Sequence, residues 1–291
     1  KPDNNWQDIM FRPALMQNYN ISVKGGGKYQ TYYTGLGYFN QDGVVKGTNY
    51  ERYTLQTKND YKKGIFSAGT NVLLTFNHDK PLHEESRGGM VGTILQALPT
   101  LEQYDESRKG GYGGLYGDVA NLPNPLGMID DNLMNRYSEN MKIYANVYVQ
   151  LELFKGLKYK LNMTPDFEFY RYKKYLNEYD FGITTNSVTQ LTERQTRSRN
   201  VLVENLLTYD QTFGDHKVSA LVGYTYQDSR YRWLQAYGEN LPQGLEEIDA
   251  STTSRSNEGY SRRSVLTSIL GRVFYSCLLY TSDAADDLTR V

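Results

Sequence analysis

The sequence has no long apolar run. Its 291 residues are 39% hydrophobic at a mean hydropathy of −0.65, and no stretch approaches the roughly 18 consecutive apolar residues of a membrane helix. A helical membrane protein is excluded. Cysteine is nearly absent, with Cys277 alone, so there is no disulfide framework; this does not fix the compartment. Charge of one sign is not in excess either, since 32 Lys and Arg face 33 Asp and Glu, and nothing points to nucleic acid. Histidine occurs 3 times. His78 and His83, beside Glu84 and Glu85, match neither H-E-x-x-H nor a zinc spacing and read as solvated loop residues, while His216 sits in a tight turn. GGYGGLYG (110–117) lacks the G-K-[ST] ending of a phosphate loop and reads as a flexible loop. Asp130 and Asp131 read as a solvated pair or loop cap, not a calcium site. No nucleophile, base and orienter assemble from these residues, so no catalytic residue, metal, cofactor or enzyme activity is expected.

What the sequence does have is alternation. In MKIYANVYVQLEL (141–153) the odd positions are apolar, from Met141 through Ile143, Ala145, Val147, Val149 and Leu151 to Leu153. The even ones are Lys142, Tyr144, Asn146, Tyr148, Gln150 and Glu152. A period of two is a strand with one apolar face. Soluble strands usually run about 5–6 residues, and this one alternates for more than twice that, the length a tilted strand needs to cross a bilayer. A β-barrel is compatible with the modest hydropathy, because its lumen face is polar. Tyrosine is over-used, at 27 against 10 Phe and 2 Trp, which suits strands and the aromatic girdles of barrels. Composition alone would favour the alternative, a soluble, Tyr-rich β protein.

The pattern predicts strands at 17–24, 29–39, 50–61, 65–76, 141–153, 157–168, 199–211, 217–228 and 264–276, with a short helix over 90–98 before Pro99. Short turns at 24–28, 62–64, 154–156 and 212–216 alternate with long links at 40–49, 77–140, 169–198 and 229–263. Antiparallel up-and-down order therefore puts every long link at one end of the sheet, the rule for outer-membrane barrels. The expectation is that Ile143, Ala145, Val147, Val149 and Leu151 face lipid, and that Tyr144, Asn146, Tyr148 and Gln150 face the lumen or a plug.

WQDIMFRPALMQNYNISVKGGGKYQTYYTGLGYFNQDGVVKGTNYERYTLQ (6–56) carries a W-x-D…F-R-x-A…Q-N-Y-N-x-S-V-x-G-G…Y-Y-x-x-x-G-Y-F-x-Q-x-G run. It resembles the start of the barrel in SusC/RagA-type TonB-linked outer-membrane proteins. NPLGMIDDN (124–132), LFKGLKYKLN (153–162), ENLLTYDQTFGDHKVSALVGYTYQ (204–227) and SILGRVFYS (268–276) continue the resemblance through most of 1–276. It implies an all-β, antiparallel, up-and-down transmembrane barrel with long extracellular loops, represented here by about nine early strands of roughly 22. It also implies an outer-membrane transporter that imports oligosaccharides or peptides under a SusD-like surface lipoprotein, with the plug and the TonB-contacting region upstream of this stretch. Tyr112 and Tyr116, in the Gly-rich loop, are the candidates for stacking on a sugar ring. The competing readings are a passive porin and a soluble glycan-binding or adhesin module.

From Cys277 the chain reads CLLYTSDAADDLTRV, whose first part resembles the in-frame translation of a transposase sequencing adaptor. Residues 1–276 are thus expected to be partial barrel and 277–291 non-native; the alternative is a genuine strand end. The start at Lys1, without Met or signal peptide, reads as internal to a longer protein. Independent reads of the source locus should run on in frame after Ser276 into further alternating strands. Recovery of CLLYTSDAADD in those reads would contradict the adaptor reading.

Overall fold

The computed structural model describes residues 2–82, 89–115 and 122–277. In chain order the elements are α1 (Trp6–Met10), β1 (Met16–Gly26), β2 (Gln30–Asp42), β3 (Asn49–Lys63), β4 (Phe66–Lys80), α2 (Gly89–Gln96), β5 (Met134–Phe154) and β6 (Leu157–Leu176). They continue with β7 (Tyr179–Asp180), β8 (Thr185–Asn186), β9 (Gln190–Phe213), β10 (His216–Glu239) and β11 (Thr253–Cys277). Nine strands form one antiparallel sheet in the order β1-β2-β3-β4-β5-β6-β9-β10-β11, and β7 and β8 pair separately inside the link between β6 and β9. The expected up-and-down antiparallel order is borne out. Because each strand pairs with its predecessor in the sheet, the two-residue turns at 64–65, 155–156 and 214–215 fall at one end and the long links at the other.

Every expected strand is present, and the later ones are far longer than their apolar alternation indicated. β9 and β10 each run 24 residues, against the roughly 9–11 that a tilted strand needs to cross a bilayer. The added length lies at the long-link end, where arginines such as Arg197 and Arg232 interrupt the apolar face. There the ladder of backbone hydrogen bonds and cross-strand pairs continues the strand, and Tyr175 and Leu191 are buried against Leu241. The links shrink accordingly to 177–189 and 240–252. Pro165, inside β6, leaves a mark of its own. The β5–β6 pairing lapses at Ala145 and Asn146, opposite a residue with no N–H to give. Asn146 Nδ2 instead donates to Thr164 Oγ1 at 2.8 Å, a side-chain bond across the gap.

The best-buried part of the chain is a cap at the long-link end. Trp6, Met10, Val45, Met90, Ile94, Leu101, Met128 and Phe181 come from four separate segments and pack into one cluster with Leu133 and Met134. α1 was not anticipated; Asn5 caps it, its side chain accepting from Gln7 N. Trp6 Nε1 then donates to Leu98 O at 2.9 Å, fastening α1 to the chain just after α2. α2 matches the helix expected before Pro99.

In the described part of the Gly-rich stretch, where a flexible loop was expected, Gly113 and Gly114 are closely packed. A Cβ on Gly114 would stand 2.3 Å from Phe181 C, and one on Gly113 2.1 Å from Glu102 O. These glycines let two backbones touch. Asn124, fully buried, ties the same region together, because its Nδ2 donates to Glu102 O, Gln103 O and Gly113 O at 3.0, 3.2 and 3.0 Å. Its Oδ1 accepts from Leu126 N at 3.0 Å. Asn124→Ala should therefore strip partners from buried backbone groups, at about 1–3 kcal/mol for each left unpaired. In the full-length protein, amide exchange should speed up across 101–115 and at Leu126 while β5 and β6 keep their protection. Unchanged exchange in 101–115 would contradict this role.

Candidate functional site

The register decides which side chains share a face. Ile21, Leu36, Leu55, Leu74, Ile143 and Phe167 lie directly opposite one another across six strands. The next row towards the long links reads Tyr19, Tyr38, Tyr53, Phe76, Met141 and Phe169. An aromatic row thus borders an aliphatic one. Tyr19 and Tyr38 stack at 6.3 Å, and Tyr38 and Tyr53 meet tilted at 5.1 Å. The hydroxyls of Tyr38 and Tyr53 both donate to Glu51 Oε1, at 3.0 and 2.8 Å. Rings lie on the apolar band and hydroxyls reach its polar margin, which is how interfacial tyrosines arrange an apolar body and a wet tip.

Ile143, Ala145, Val147, Val149 and Leu151 belong to this apolar face, opposite Leu74, Val72, Thr70, Ala68 and Phe66. It continues through Leu161, Met163, Val203, Leu207, Val222 and Ile269 on the later strands. Its side chains are open in the structure, with Ile21 69% and Ile269 83% exposed. So large an uncovered apolar surface marks a membrane or partner contact.

Tyr144, Asn146, Tyr148 and Gln150 point the other way. Here side chains satisfy one another along the sheet: Asn146 Nδ2 donates to Asn162 Oδ1 at 2.9 Å and Asn162 Nδ2 to Glu204 Oε2 at 2.7 Å. Tyr148 Oη donates to Asp60 Oδ1 at 2.8 Å, two strands away. That reach crosses Gly69, where a Cβ would stand 2.4 Å from the Tyr148 ring and 2.5 Å from Asp60 Oδ1. Further along, Gln227 Nε2 donates to Asn200 Oδ1 at 2.9 Å. Near the long links the polar face forms an open concavity of about 510 Å³ whose lining includes Asp166, Glu168, Asn200, Tyr231, Tyr260 and Arg262.

Of the candidate sugar-stacking residues, Tyr112 is engaged inside the cap, and Tyr116 lies outside the described residues, as do His83, Glu84 and Glu85. The Tyr112 ring packs against Tyr104 at 5.4 Å and edge-on to Phe181 at 6.2 Å, and its hydroxyl donates to Asp130 Oδ2 at 2.9 Å. Burial first, and then that hydrogen bond, push its phenol well above the ordinary range. Asp130 also accepts from Asn132 N at 2.9 Å, the loop-capping role expected, and Asp131 pairs with Lys80 at 2.6 Å. Asp105 is held below the usual carboxylate range, chiefly by hydrogen bonds from Ser107 and then by Arg108. Among the described residues no three or more His, Cys, Asp and Glu side chains gather as a metal site would require. The arrangement separates apolar from polar surroundings.

Sheet order, unlike faces and one-sided long links define a membrane-barrel type of sheet. The comparisons agree with that class. No protein-family model matches the chain. TonB-dependent receptor P3 of Formosa agariphila is 23% identical over 287 residues, covering 94% of this chain and 28% of the relative. TonB-dependent receptor SusC of Bacteroides thetaiotaomicron is 24% identical, covering 95% of this chain and 29% of the relative. The chain thus spans less than a third of the relatives it matches. Among solved structures, the RagAB peptide transporter superposes with a TM-score of 0.80 at 20% identity, over 95% of this chain and 32% of that one. The SusC/RagA-type resemblance of the sequence is borne out. These relatives carry the names of receptors and transporters, not of enzymes.

Arginine at mid-strand on a lipid face costs about 2–4 kcal/mol in a barrel, and a lumen position tolerates it. Val147→Arg should therefore impair assembly of the full-length protein in the outer membrane far more than Gln150→Arg. Heat-modifiable mobility of the folded barrel on gels reads this out; equal losses would mean the two faces are misassigned.

Proposed function

We propose that this chain is the early wall of an outer-membrane, TonB-dependent transporter that imports large nutrients, oligosaccharides or peptides, beneath a SusD-like surface lipoprotein. On this reading residues 1–276 are barrel and 277–291 are not native sequence. The observation that carries the reading is the pair of unlike faces, a largely apolar band bordered by an aromatic row on one side and a hydrogen-bonded polar surface on the other. A sheet with lipid outside and an aqueous or plugged lumen inside needs that division on every strand. The similarity to a solved peptide transporter favours a polymeric cargo of that size class.

Sheet edges supply a second support. β1 and β11 each have a neighbour on one side only, and in hydrocarbon each unpaired backbone group costs several kcal/mol with no water to satisfy it. These strands alone would not form a closed pore. In the complete barrel both edges meet further strands, and the cap closes over the mouth. Its Met134, opposite Leu176, lies on the same side of β5 as Asn140, Asn146 and the rest of the polar face. The cap therefore leans over the lumen and away from lipid. A lumen obstructed from above and plugged within conducts only when the obstruction is moved by work, so passage is active.

The test is uptake of labelled oligosaccharide and labelled peptide libraries by cells expressing the full-length gene with its neighbouring lipoprotein gene. Uptake should collapse when the proton-motive force is dissipated or TonB is deleted, with no hydrolysis of the bound cargo by the purified protein. Uptake indifferent to both treatments would mean a passive porin instead.

A further inference from the structure

Five arginines interrupt the outward face where an apolar band should give way to water. Arg199, Arg230 and Arg263 lie directly opposite one another on β9, β10 and β11, and in the next row Arg197 lies opposite Arg232. Like charges directly opposite on neighbouring strands destabilise a sheet. One carboxylate relieves the first row. Asp228, 6% exposed, takes Arg199 at 3.4 Å, Arg230 at 3.3 Å and Arg263 at 3.1 Å on its Oδ2. Its Oδ1 accepts from the Nε of Arg230 and of Arg263, at 3.3 and 3.2 Å. This fixes three guanidiniums side by side with their outer edges open, and leaves one acid among five bases.

The position matters as much as the charge. Asp228 stands opposite Val201 and Val265, on the face that runs down through Val203, Tyr226, Tyr224 and Ile269 towards the short turns. Phe167 and Phe169 flank Arg199 and Arg197 on β6. The patch is thus continuous with the apolar band and sits on its margin at the long-link end. Resting on the lipid-face reading given above, we infer that it binds the phosphate-bearing headgroup of a membrane lipid, whose acyl chains lie down the apolar band beneath it. Planar guanidiniums match phosphate oxygens in pairs, and their weak hydration suits a site half out of water. Water alone would favour scattering such charges, and a neutral headgroup would leave the repulsion of the upper row unrelieved. The phosphate supplies the negative charge that Asp228 by itself cannot.

The full-length protein, purified in mild detergent and re-equilibrated with lipid A, is weighed by native mass spectrometry. Retained lipid A should fall by roughly tenfold or more in Arg199→Gln/Arg230→Gln/Arg263→Gln, the loss set by even one charged hydrogen bond. Arg197→Gln/Arg232→Gln touches no Asp228 contact, so it carries the same expectation if the triple variant fails to assemble. Arg272→Gln, on the opposite face, should leave retention unchanged, and added salt should weaken it. Equal retention in wild type and both arginine variants, or equal retention of lipid A stripped of its phosphates, would overturn the proposal. So would displacement by inorganic phosphate as readily as by lipid A, which would make the patch an anion site with no lipid. A nitroxide on Val203→Cys separates the two readings: a label in lipid with retention unaffected refutes the headgroup site alone, and a label in water refutes the lipid face beneath it.

Discussion

The structure depends on the pairing of backbone N–H and C=O groups between neighbouring strands. A helix satisfies its own backbone, whereas a strand relies on its neighbours, and in hydrocarbon nothing else is available. The long ladders from β5 to β11 meet that demand almost without interruption, and where Pro165 withdraws a donor, Asn146 and Thr164 bridge the lapse on the polar face. Once the ladder is fixed, the two-residue period does the rest. Each side chain is committed to one face by its parity, and a shift of one residue would reverse every assignment. Rows such as Ile21 to Phe167 therefore record a register held across six strands.

That same rigidity lets a polar face be polar without cost. Asn146, Asn162 and Glu204 stand at cross-strand distances where each finds a partner, so little of the face is left unsatisfied. The aliphatic rows of the other face lie open in the structure, Ile269 more than any other large apolar residue among those described. At the long-link end the demands change again: segments from distant parts of the chain bury Met10, Ile94, Leu101 and Phe181 together. Among the described residues this is the larger of two buried hydrophobic clusters, the other joining Tyr175, Leu191 and Leu241.

The strands were legible because parity is written directly in the residues, as MKIYANVYVQLEL illustrates. Their full length was not. TERQTRSRN and RYRWLQAYGE carry no alternation of polarity to read, and they are strand because neighbours already aligned below them continue the ladder. The cap was illegible for a related reason. Its contacts join Trp6 to Leu98 and Gly114 to Phe181, and separations so long leave no local pattern. GGYGG gave the same signal whether it bent freely or let two backbones touch. Tyr112 illustrates the limit at a candidate site, since a tyrosine among glycines looks available in sequence and is occupied by Tyr104, Phe181 and Asp130 in the fold. The arginine patch left a faint trace in RSRN, SRYR and SRR, three basic strings at matched positions on three consecutive strands, which only the register unites.

The central claim is that odd and even positions of β5 see different media. Single cysteines placed one at a time from Ile143 to Leu151 in the full-length protein, with Cys277 absent, are tested in intact outer membranes for reaction with a water-soluble maleimide and, once carrying a small thiol-linked fluorophore, for quenching by a lipid-soluble nitroxide. The account predicts an alternation of two residues, with Ile143, Ala145, Val147, Val149 and Leu151 quenched from lipid and Tyr144, Asn146, Tyr148 and Gln150 shielded from it. Uniform labelling by the water-soluble reagent along the whole strand would contradict it.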